Sequence, residues 1–122
     1  MSIQDTIAAY AEGWTMGDSE KIMSAVSPDM VLDDPNVGKI DRDALPDYIA
    51  GLKSAVAELR AGEAHDTLMD MSEVVIKDDE TPVSIWAWFT VPGTALAGSA
   101  LIKVADEGVV EERIAYYTSL PK

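Results

Sequence analysis

An aspartate that follows a short predicted strand is the first candidate for chemistry in this sequence. Residues 30–33 have the pattern of a strand, and alternation places Leu32 and Asp34 on the same face. Because Leu32 should face the core, Asp34 should face it too, and a carboxylate among apolar groups is costly unless it is paired or its pKa is raised. Such a group is a candidate general base. The alternative is that Asp34 only begins the turn over residues 35–38.

A phenol and an indole share one face of the first predicted helix. Tyr10 and Trp14 are four residues apart, which places one above the other along that face. The helix is expected to begin at Ser2, whose spacing from Asp5 matches a capping box, and to end at Gly17. Tyr10 could therefore donate a hydrogen bond into a pocket with Trp14 on its wall, or this face could be plain core.

Two further titratable residues could assist such a site. Glu112 shares a strand face with Val110 and Ile114, so it is a second buried carboxylate if that face lines the pocket. The alternative places it at a sheet edge, paired with Arg113 or a neighbouring lysine. His65, the only histidine, could carry protons near neutral pH if it faces inward, or it is a surface or core residue. No second histidine exists to form a metal site with it, so no metal site is predicted.

Two tryptophans could form an aromatic wall. Trp86 and Trp88 lie on one face of a predicted strand, with Ser84 and Thr90 beside them. Aromatic walls suit flat hydrophobic ligands. The alternatives are core packing and an interface with a second subunit.

The elements that must position these residues have an α+β pattern. Helical periodicity predicts three helices before residue 62, with Asp18 and Asp43 as the caps of the second and third helices. From residue 64 the period changes to two, and strand-like runs follow at residues 64–76, 83–91, 95–104 and 109–118. Their short connections predict an antiparallel meander. The absence of a linker predicts one domain over residues 1–122.

Residues 10–18, with the sequence YAEGWTMGD, and residues 31–35, with the sequence VLDDP, together resemble the ketosteroid isomerase branch of the NTF2-like superfamily. That superfamily also contains the SnoaL-like polyketide cyclases. In the isomerases a tyrosine precedes a Gly-Asp pair at the spacing of Tyr10 from Gly17, and a catalytic aspartate stands directly before a proline, as Asp34 does. The final run over residues 108–117 resembles the last strand of the family.

The resemblance implies a cone-shaped NTF2-like fold, with three N-terminal helices packed on a curved antiparallel sheet. It also implies that Asp34 is a general base and Tyr10 a hydrogen-bond donor to an enolate oxygen. Ligand-pocket positions are then expected at Trp14, Leu32, His65, Trp86, Trp88 and Ser99. A homodimer through the sheet is expected as well. The chain departs from the family at the second acid, because Ser99 and Ala100 occupy that region, and Glu112 could replace it.

Charge narrows the classes of partner. The net charge is −13, with 22 acidic and 9 basic residues, so the basic surface that nucleic-acid binding requires is missing from the composition. Attraction to an anionic membrane is excluded on the same ground. No run approaches the roughly 18 apolar residues of a membrane helix, and no signal peptide is seen, so a cytoplasmic location is expected.

These observations support three hypotheses about function. The first is an enzyme that needs no cofactor, in which Asp34, Tyr10 and Glu112 move a proton on a small hydrophobic carbonyl compound by isomerase, cyclase or dehydratase chemistry. The second is a protein that binds a small molecule in the same pocket without converting it. The third is a dimerising domain whose pocket has no function.

Overall fold

The computed structural model describes residues 1–117, which contain three helices and six strands. In chain order these are α1 (Ile3–Met16), α2 (Ser19–Ala25), β1 (Val26–Asp34), β2 (Gly38–Asp41), α3 (Leu45–Leu59), β3 (Asp70–Lys77), β4 (Val83–Thr90), β5 (Ala97–Ala105) and β6 (Gly108–Tyr117). Thr118, the predicted last residue of the final strand, lies outside the described residues. No helix in the described part of the chain has the length and apolar character that a membrane span requires.

Local capping sets both ends of α1 and the start of α2 as predicted. The Ser2 side chain accepts a hydrogen bond from the Asp5 N–H, and the Asp5 carboxylate accepts one from the Ser2 N–H. Gly17 ends α1 in the left-handed conformation with φ 67°. Asp18 then caps α2 by accepting a hydrogen bond from the Lys21 N–H.

The six strands form one mixed sheet in the order β2-β1-β6-β5-β4-β3. Strands β3 to β6 form the predicted antiparallel meander, but β1 pairs with β6 in parallel. This corrects the expectation of a purely antiparallel sheet. Strand β2 was not predicted, because it has only four residues and Lys39 and Asp41 make it polar. It turns back on β1 through residues 35–37.

The segment between α3 and β3 is irregular, although a strand was predicted from residue 64. Arg60, at the end of α3, donates hydrogen bonds to the backbone oxygens of Pro92, Thr67 and Leu68. These bonds use carbonyl groups that a strand ladder would otherwise engage, and β3 begins only at Asp70.

The start of the third helix also differs from the prediction. Ala44, not Asp43, is the N-cap residue of α3, and it makes no side-chain capping bond. The carboxylate of Asp41 instead accepts a hydrogen bond from the Ala44 N–H at 2.9 Å. Pro46 lies in the first turn of the helix, where its missing N–H costs nothing.

One cluster of buried apolar side chains contains residues from all three helices and from the sheet. In β1 the inward positions are Met30, Leu32 and Asp34, which are 1%, 0% and 3% exposed. The alternation predicted for this strand is therefore present, and Asp34 lies on the apolar side. The same alternation places Ile85, Ala87 and Phe89 of β4 on the inner face.

Candidate active site

An apolar cavity of about 80 Å³ lies among α1, α3 and strands β3 to β6. Most of its wall is aliphatic or aromatic, and the side chains on it that carry a polar atom, among the described residues, are Tyr10, Trp14, Tyr48, Glu112 and Tyr116. The exposed residues on the wall are Ala11 and Val74, so the cavity reaches the surface beside them. An apolar cavity of about 150 Å³ takes benzene, so this cavity suits a small compact molecule. A molecule as large as a steroid would require its walls to move apart.

Glu112 and Tyr10 form a buried pair on the wall of this cavity. Strand β6 places Glu112 opposite Ile102 of β5 and beside Leu32 of β1, and helix α1 brings Tyr10 to it. The Tyr10 hydroxyl donates a hydrogen bond to Glu112 Oε1. Glu112 is 6% exposed and Tyr10 is 3% exposed. Of the two alternatives for Glu112, the structure shows the buried, inward one.

The surroundings of Glu112 favour its protonated form near neutral pH. Burial raises the pKa of Glu112 to about 7, the hydrogen bond from Tyr10 opposes this rise, and the charge of Asp34 adds to it. Burial and the Glu112 charge raise the pKa of Tyr10 well above its ordinary value. Tyr10 therefore stays a neutral donor, while Glu112 can hold or release a proton near pH 7.

Asp34 accepts hydrogen bonds from three donors. Its Oδ1 atom accepts a hydrogen bond from the Asn36 N–H at 2.8 Å. Its Oδ2 atom accepts bonds from the hydroxyls of Tyr48 at 2.5 Å and Tyr116 at 3.0 Å. Both tyrosines line the cavity and Asp34 does not. Asp34 is therefore connected to the cavity wall through the two tyrosine hydroxyls. The alternative turn-forming role of Asp34 is present too, since it bonds the Asn36 backbone.

The two phenols beside Asp34 remain protonated. Burial, followed by the hydrogen bond to Asp34, raises the pKa of Tyr48 above its ordinary value. Burial is also the main reason that the pKa of Tyr116 rises to about 12. Both hydroxyls therefore act as neutral donors to a carboxylate across the accessible pH range.

Trp14 contacts one tyrosine from each carboxylate site: Tyr10, which bonds Glu112, and Tyr48, which bonds Asp34. Its ring meets Tyr10 edge-on, with centroids 6.2 Å apart, and Tyr48 in the same way at 6.4 Å. Trp14 is 4% exposed and lines the cavity.

Four predicted pocket residues lie away from the cavity wall. Trp86 and Trp88 are on the opposite face of β4 from the inward residues, and Trp86 is 37% exposed. Ser99 pairs with Trp88 and shares that outer face, while its neighbour Ala100 lines the cavity. Leu32 is fully buried beneath the site without reaching the wall. The prediction that these four line the pocket is corrected. Strand alternation places Trp86, Trp88 and Ser99 on the outer face, and Leu32 is buried outside the cavity wall.

His65 also lies elsewhere. It belongs to the irregular segment before β3 and lines a shallow surface pocket with Lys53 and Arg60. Its expected place in the ligand pocket is therefore corrected as well, and the reason is that the strand on which it was predicted to point inward does not form.

Tyr48 was not predicted as a site residue, although the sequence contained a signal for it. It stands three residues after Leu45 and four before Leu52, so it lies on the apolar stripe of α3. A phenol on such a stripe needs a polar partner, which Asp34 supplies. Within residues 1–117 no group of three His, Cys, Asp or Glu side chains could hold a metal ion.

Solved structures share this architecture, although no family model matches the chain and no curated protein does. An NTF2-like protein of unknown function from Cytophaga hutchinsonii has a TM-score of 0.66 at 8% identity, covering 96% of this chain and 91% of its own. The chain has the NTF2-like fold. This confirms, at the level of the fold, the resemblance seen in the sequence.

Two other structures with the NTF2-like fold have provisional functional names. A provisionally named polyketide cyclase from Sinorhizobium meliloti is 15% identical, with a TM-score of 0.65, covering 91% of this chain and 94% of its own. A provisionally named ketosteroid isomerase from Kribbella flavida is 11% identical, with a TM-score of 0.66, covering 98% and 81%. Identities this low establish the shared fold alone.

This version of the NTF2-like fold holds two inward carboxylates, each bound by phenols. Glu112 is on β6 with Tyr10, and Asp34 is on β1 with Tyr48 and Tyr116. The region of β5 expected to hold a second acid presents the methyl group of Ala100 to the cavity. The arrangement is able to exchange a proton with a molecule in the cavity, and Glu112 is the carboxyl that lies on the wall.

Proposed function

We propose that this protein is a cofactor-independent enzyme that moves a proton on a small apolar carbonyl compound bound in the cavity. The observation that carries the proposal is the buried Tyr10–Glu112 pair on an apolar wall, with the Glu112 pKa at about 7. A general acid or base works best when its pKa lies near the working pH. The provisional cyclase and isomerase names of two structures with the same fold support the same class of chemistry.

The proposed reaction begins with removal of a proton from the carbon next to the carbonyl group. The Glu112 carboxylate accepts this proton, and the electrons of the C–H bond move into an enolate. The protonated Glu112 then returns a proton to the same or another carbon, which gives an exchanged or isomerised product. The apolar wall keeps water from competing for the proton, and a neutral donor on the wall stabilises the charge on the enolate oxygen.

Asp34 has two possible roles within this proposal. The sequence predicts that it is the base itself. Its environment also supports a positioning role, in which its fixed charge orients the Tyr48 and Tyr116 hydroxyls and helps to keep Glu112 protonated. The two roles predict different activities for Asp34→Asn, in which an amide replaces the carboxylate.

The proposal is tested by deuterium uptake at the α-carbon of a panel of small ketones in D₂O. We expect the wild-type protein to accelerate uptake by at least one ketone, and Glu112→Gln to lower that rate by about 10²-fold or more. Glu111→Gln, which changes the neighbouring residue of β6, is the matched control and should leave the rate unchanged. If Asp34 only positions the tyrosines, Asp34→Asn should retain more activity than Glu112→Gln. The reverse order would assign the base to Asp34.

If the protein accelerates deuterium uptake by no ketone in the panel above the rate in buffer, the enzyme proposal is contradicted. The second candidate function, binding without conversion, is favoured by the methyl group of Ala100 where an acid was expected. It predicts that a ketone raises the melting temperature while its α-protons exchange no faster than in buffer.

A further inference from the structure

The indole N–H of Trp14 is a buried donor without an acceptor. Trp14 is 4% exposed, and its Nε1 atom has no hydrogen-bond partner among residues 1–117. Indole N–H groups that are buried in proteins ordinarily have a partner, because an unpaired donor keeps the full cost of leaving water. An unpaired donor on the wall of a cavity therefore points to an acceptor that enters the cavity.

Packing fixes where this indole lies. The indole ring meets the rings of Tyr10 and Tyr48 edge-on. Because the Tyr10 hydroxyl bonds Glu112, the contact with Tyr10 places the indole at the end of the cavity that holds Glu112. Burial and the Glu112 charge raise the pKa of Tyr10 and the nearby Trp14 side chain opposes them, but the Trp14 N–H and the Tyr10 hydroxyl do not have hydrogen-bond geometry.

The hydroxyl donors on the wall already have acceptors. Tyr10 donates to Glu112, and Tyr48 and Tyr116 donate to Asp34. Among the described residues that line the cavity, the Trp14 N–H is thus the side-chain N–H or O–H donor without an acceptor inside the protein.

We infer that the Trp14 N–H binds an acceptor oxygen of the ligand, and that the ligand is a small apolar molecule with a carbonyl oxygen directed at Trp14. In this position the N–H would hold the oxygen on which charge develops during proton removal, next to Glu112. The inference rests on the proposed function for the cavity as a binding site, and it does not require turnover.

Two probes that differ by one group test this inference. Acetone carries a carbonyl oxygen where isobutene carries a methylene group, so the two are close in shape, and neither has a ring whose current would shift a neighbouring signal. We expect acetone to shift the Trp14 indole N–H signal in a ¹⁵N–¹H NMR spectrum, and isobutene to leave it nearly in place. The signals of the three tryptophans are assigned with Trp14→Phe, Trp86→Phe and Trp88→Phe.

Affinity gives a second readout. Removal of one hydrogen bond should weaken the binding of acetone to Trp14→Phe about three- to tenfold more than the binding of isobutene, relative to the wild type. Trp88→Phe, on the outer face of the same sheet, is the matched control and should bind both probes as the wild type does. If Trp14→Phe does not fold, the two-probe comparison on the wild-type protein still decides.

The outcomes separate this inference from the proposed function. Equal shifts of the Trp14 signal by both probes, or equal weakening of both by Trp14→Phe, would show that Trp14 only packs, and the cavity would remain a binding site. If neither probe perturbs any cavity residue at saturating concentration, both the inference and the proposed binding site are contradicted.

Discussion

Glu112 brings an ionisable carboxyl to an apolar wall, and its one described hydrogen bond comes from the Tyr10 hydroxyl. Asp34 differs, since three donors surround it. The two carboxyl groups on one inner face thus have different surroundings: Asp34 accepts three hydrogen bonds, and burial pushes Glu112 towards its neutral form. At the scale of residues, this difference is what suits Glu112 to proton transfer.

The pKa of Glu112 predicts a pH-dependent stability. In the folded state it is about 7, compared with an ordinary value of 4.5, so the folded protein binds this proton more tightly than the unfolded chain does. The contribution of Glu112 is therefore fully present below the unfolded value and is lost as pH rises through about 7. Between about pH 5 and about pH 8.5, the wild type should lose about 2–3 kcal/mol relative to Glu112→Gln. Urea denaturation of both proteins measures this, and parallel pH profiles would refute it.

The donors around Asp34 predict a cost for removing its carboxylate. Asp34→Ala leaves the Tyr48 and Tyr116 hydroxyls without their acceptor, so the free energy of unfolding should fall by roughly 2–3 kcal/mol. Asp33→Ala is the matched control, because Asp33 is the preceding residue of β1 and is only partly buried. It should change stability by no more than about 0.5 kcal/mol. Similar losses in the two variants, measured by urea denaturation, would show that the tyrosine contacts do not stabilise the fold.

At the scale of elements, close packing between α1 and α2 fixes the position of the helix that carries Tyr10 and Trp14. Gly13 lies between these two residues on α1, and a Cβ atom there would come within 2.7 Å of Ile22 Cγ1 and 2.9 Å of the Ile22 backbone nitrogen. The glycine is therefore needed for the close approach of the two helices, and through it for the placement of Tyr10 and Trp14.

Two glycines within helices give a matched test of this packing. Gly13→Ala should lower the free energy of unfolding by about 1–3 kcal/mol, because the added methyl group overlaps Ile22. Gly51→Ala, in α3, meets no atom within 4 Å and should raise it by about 0.5–1 kcal/mol, because alanine favours the helix. Thermal and urea denaturation measure both. A stabilising Gly13→Ala would mean that α1 and α2 are not in close contact.

The elements also show which structural features a sequence can predict. The caps at Ser2, Gly17 and Asp18 depend on residues within a few positions, so the sequence predicted them correctly. The inward face of Asp34 followed from alternation with Leu32. Pairing of β1 with β6 joins segments that lie far apart in the sequence, which no local pattern reveals.

Prediction of the site was limited in the same way. Alternation gave Glu112 two possible environments, and only the contact with α1 shows that it faces Tyr10. The Tyr48–Asp34 bond was missed because it joins a helix to a strand, and a helical stripe gives no indication of what it covers. His65 was misplaced because hydrogen bonds from Arg60 keep its segment irregular.

At the scale of the whole molecule, the outer face of the sheet remains the predicted surface for a homodimer. Val75, Trp86 and Leu101 lie side by side across β3, β4 and β5, and Val75 and Trp86 are exposed. We expect sedimentation equilibrium to give twice the 13.1 kDa of one chain, and Trp86→Glu to give the mass of a single chain. Val37→Glu, at an exposed residue of the turn between β1 and β2, should leave the dimer intact. A wild-type protein with the mass of a single chain would contradict this prediction.

The net charge of −13 on each chain should oppose formation of this dimer. Two chains of like charge repel each other, and salt screens that repulsion over about 10 Å at 0.1 M. Added sodium chloride should therefore strengthen the dimer in the same sedimentation experiment. A dimer that weakens with salt would indicate that ion pairs, and not the apolar row on the outer face, hold the two subunits together.

The measurement that tests the central claim most directly is an NMR titration of the Glu112 side-chain carboxyl carbon, assigned by comparison with Glu112→Gln. We predict a transition near the folded pKa of about 7, and a higher one in Tyr10→Phe, because the Tyr10 hydrogen bond lowers the pKa of Glu112. A transition at the ordinary value of 4.5, unaffected by Tyr10→Phe, would show that Glu112 is hydrated and is not the proton-transfer group of the cavity.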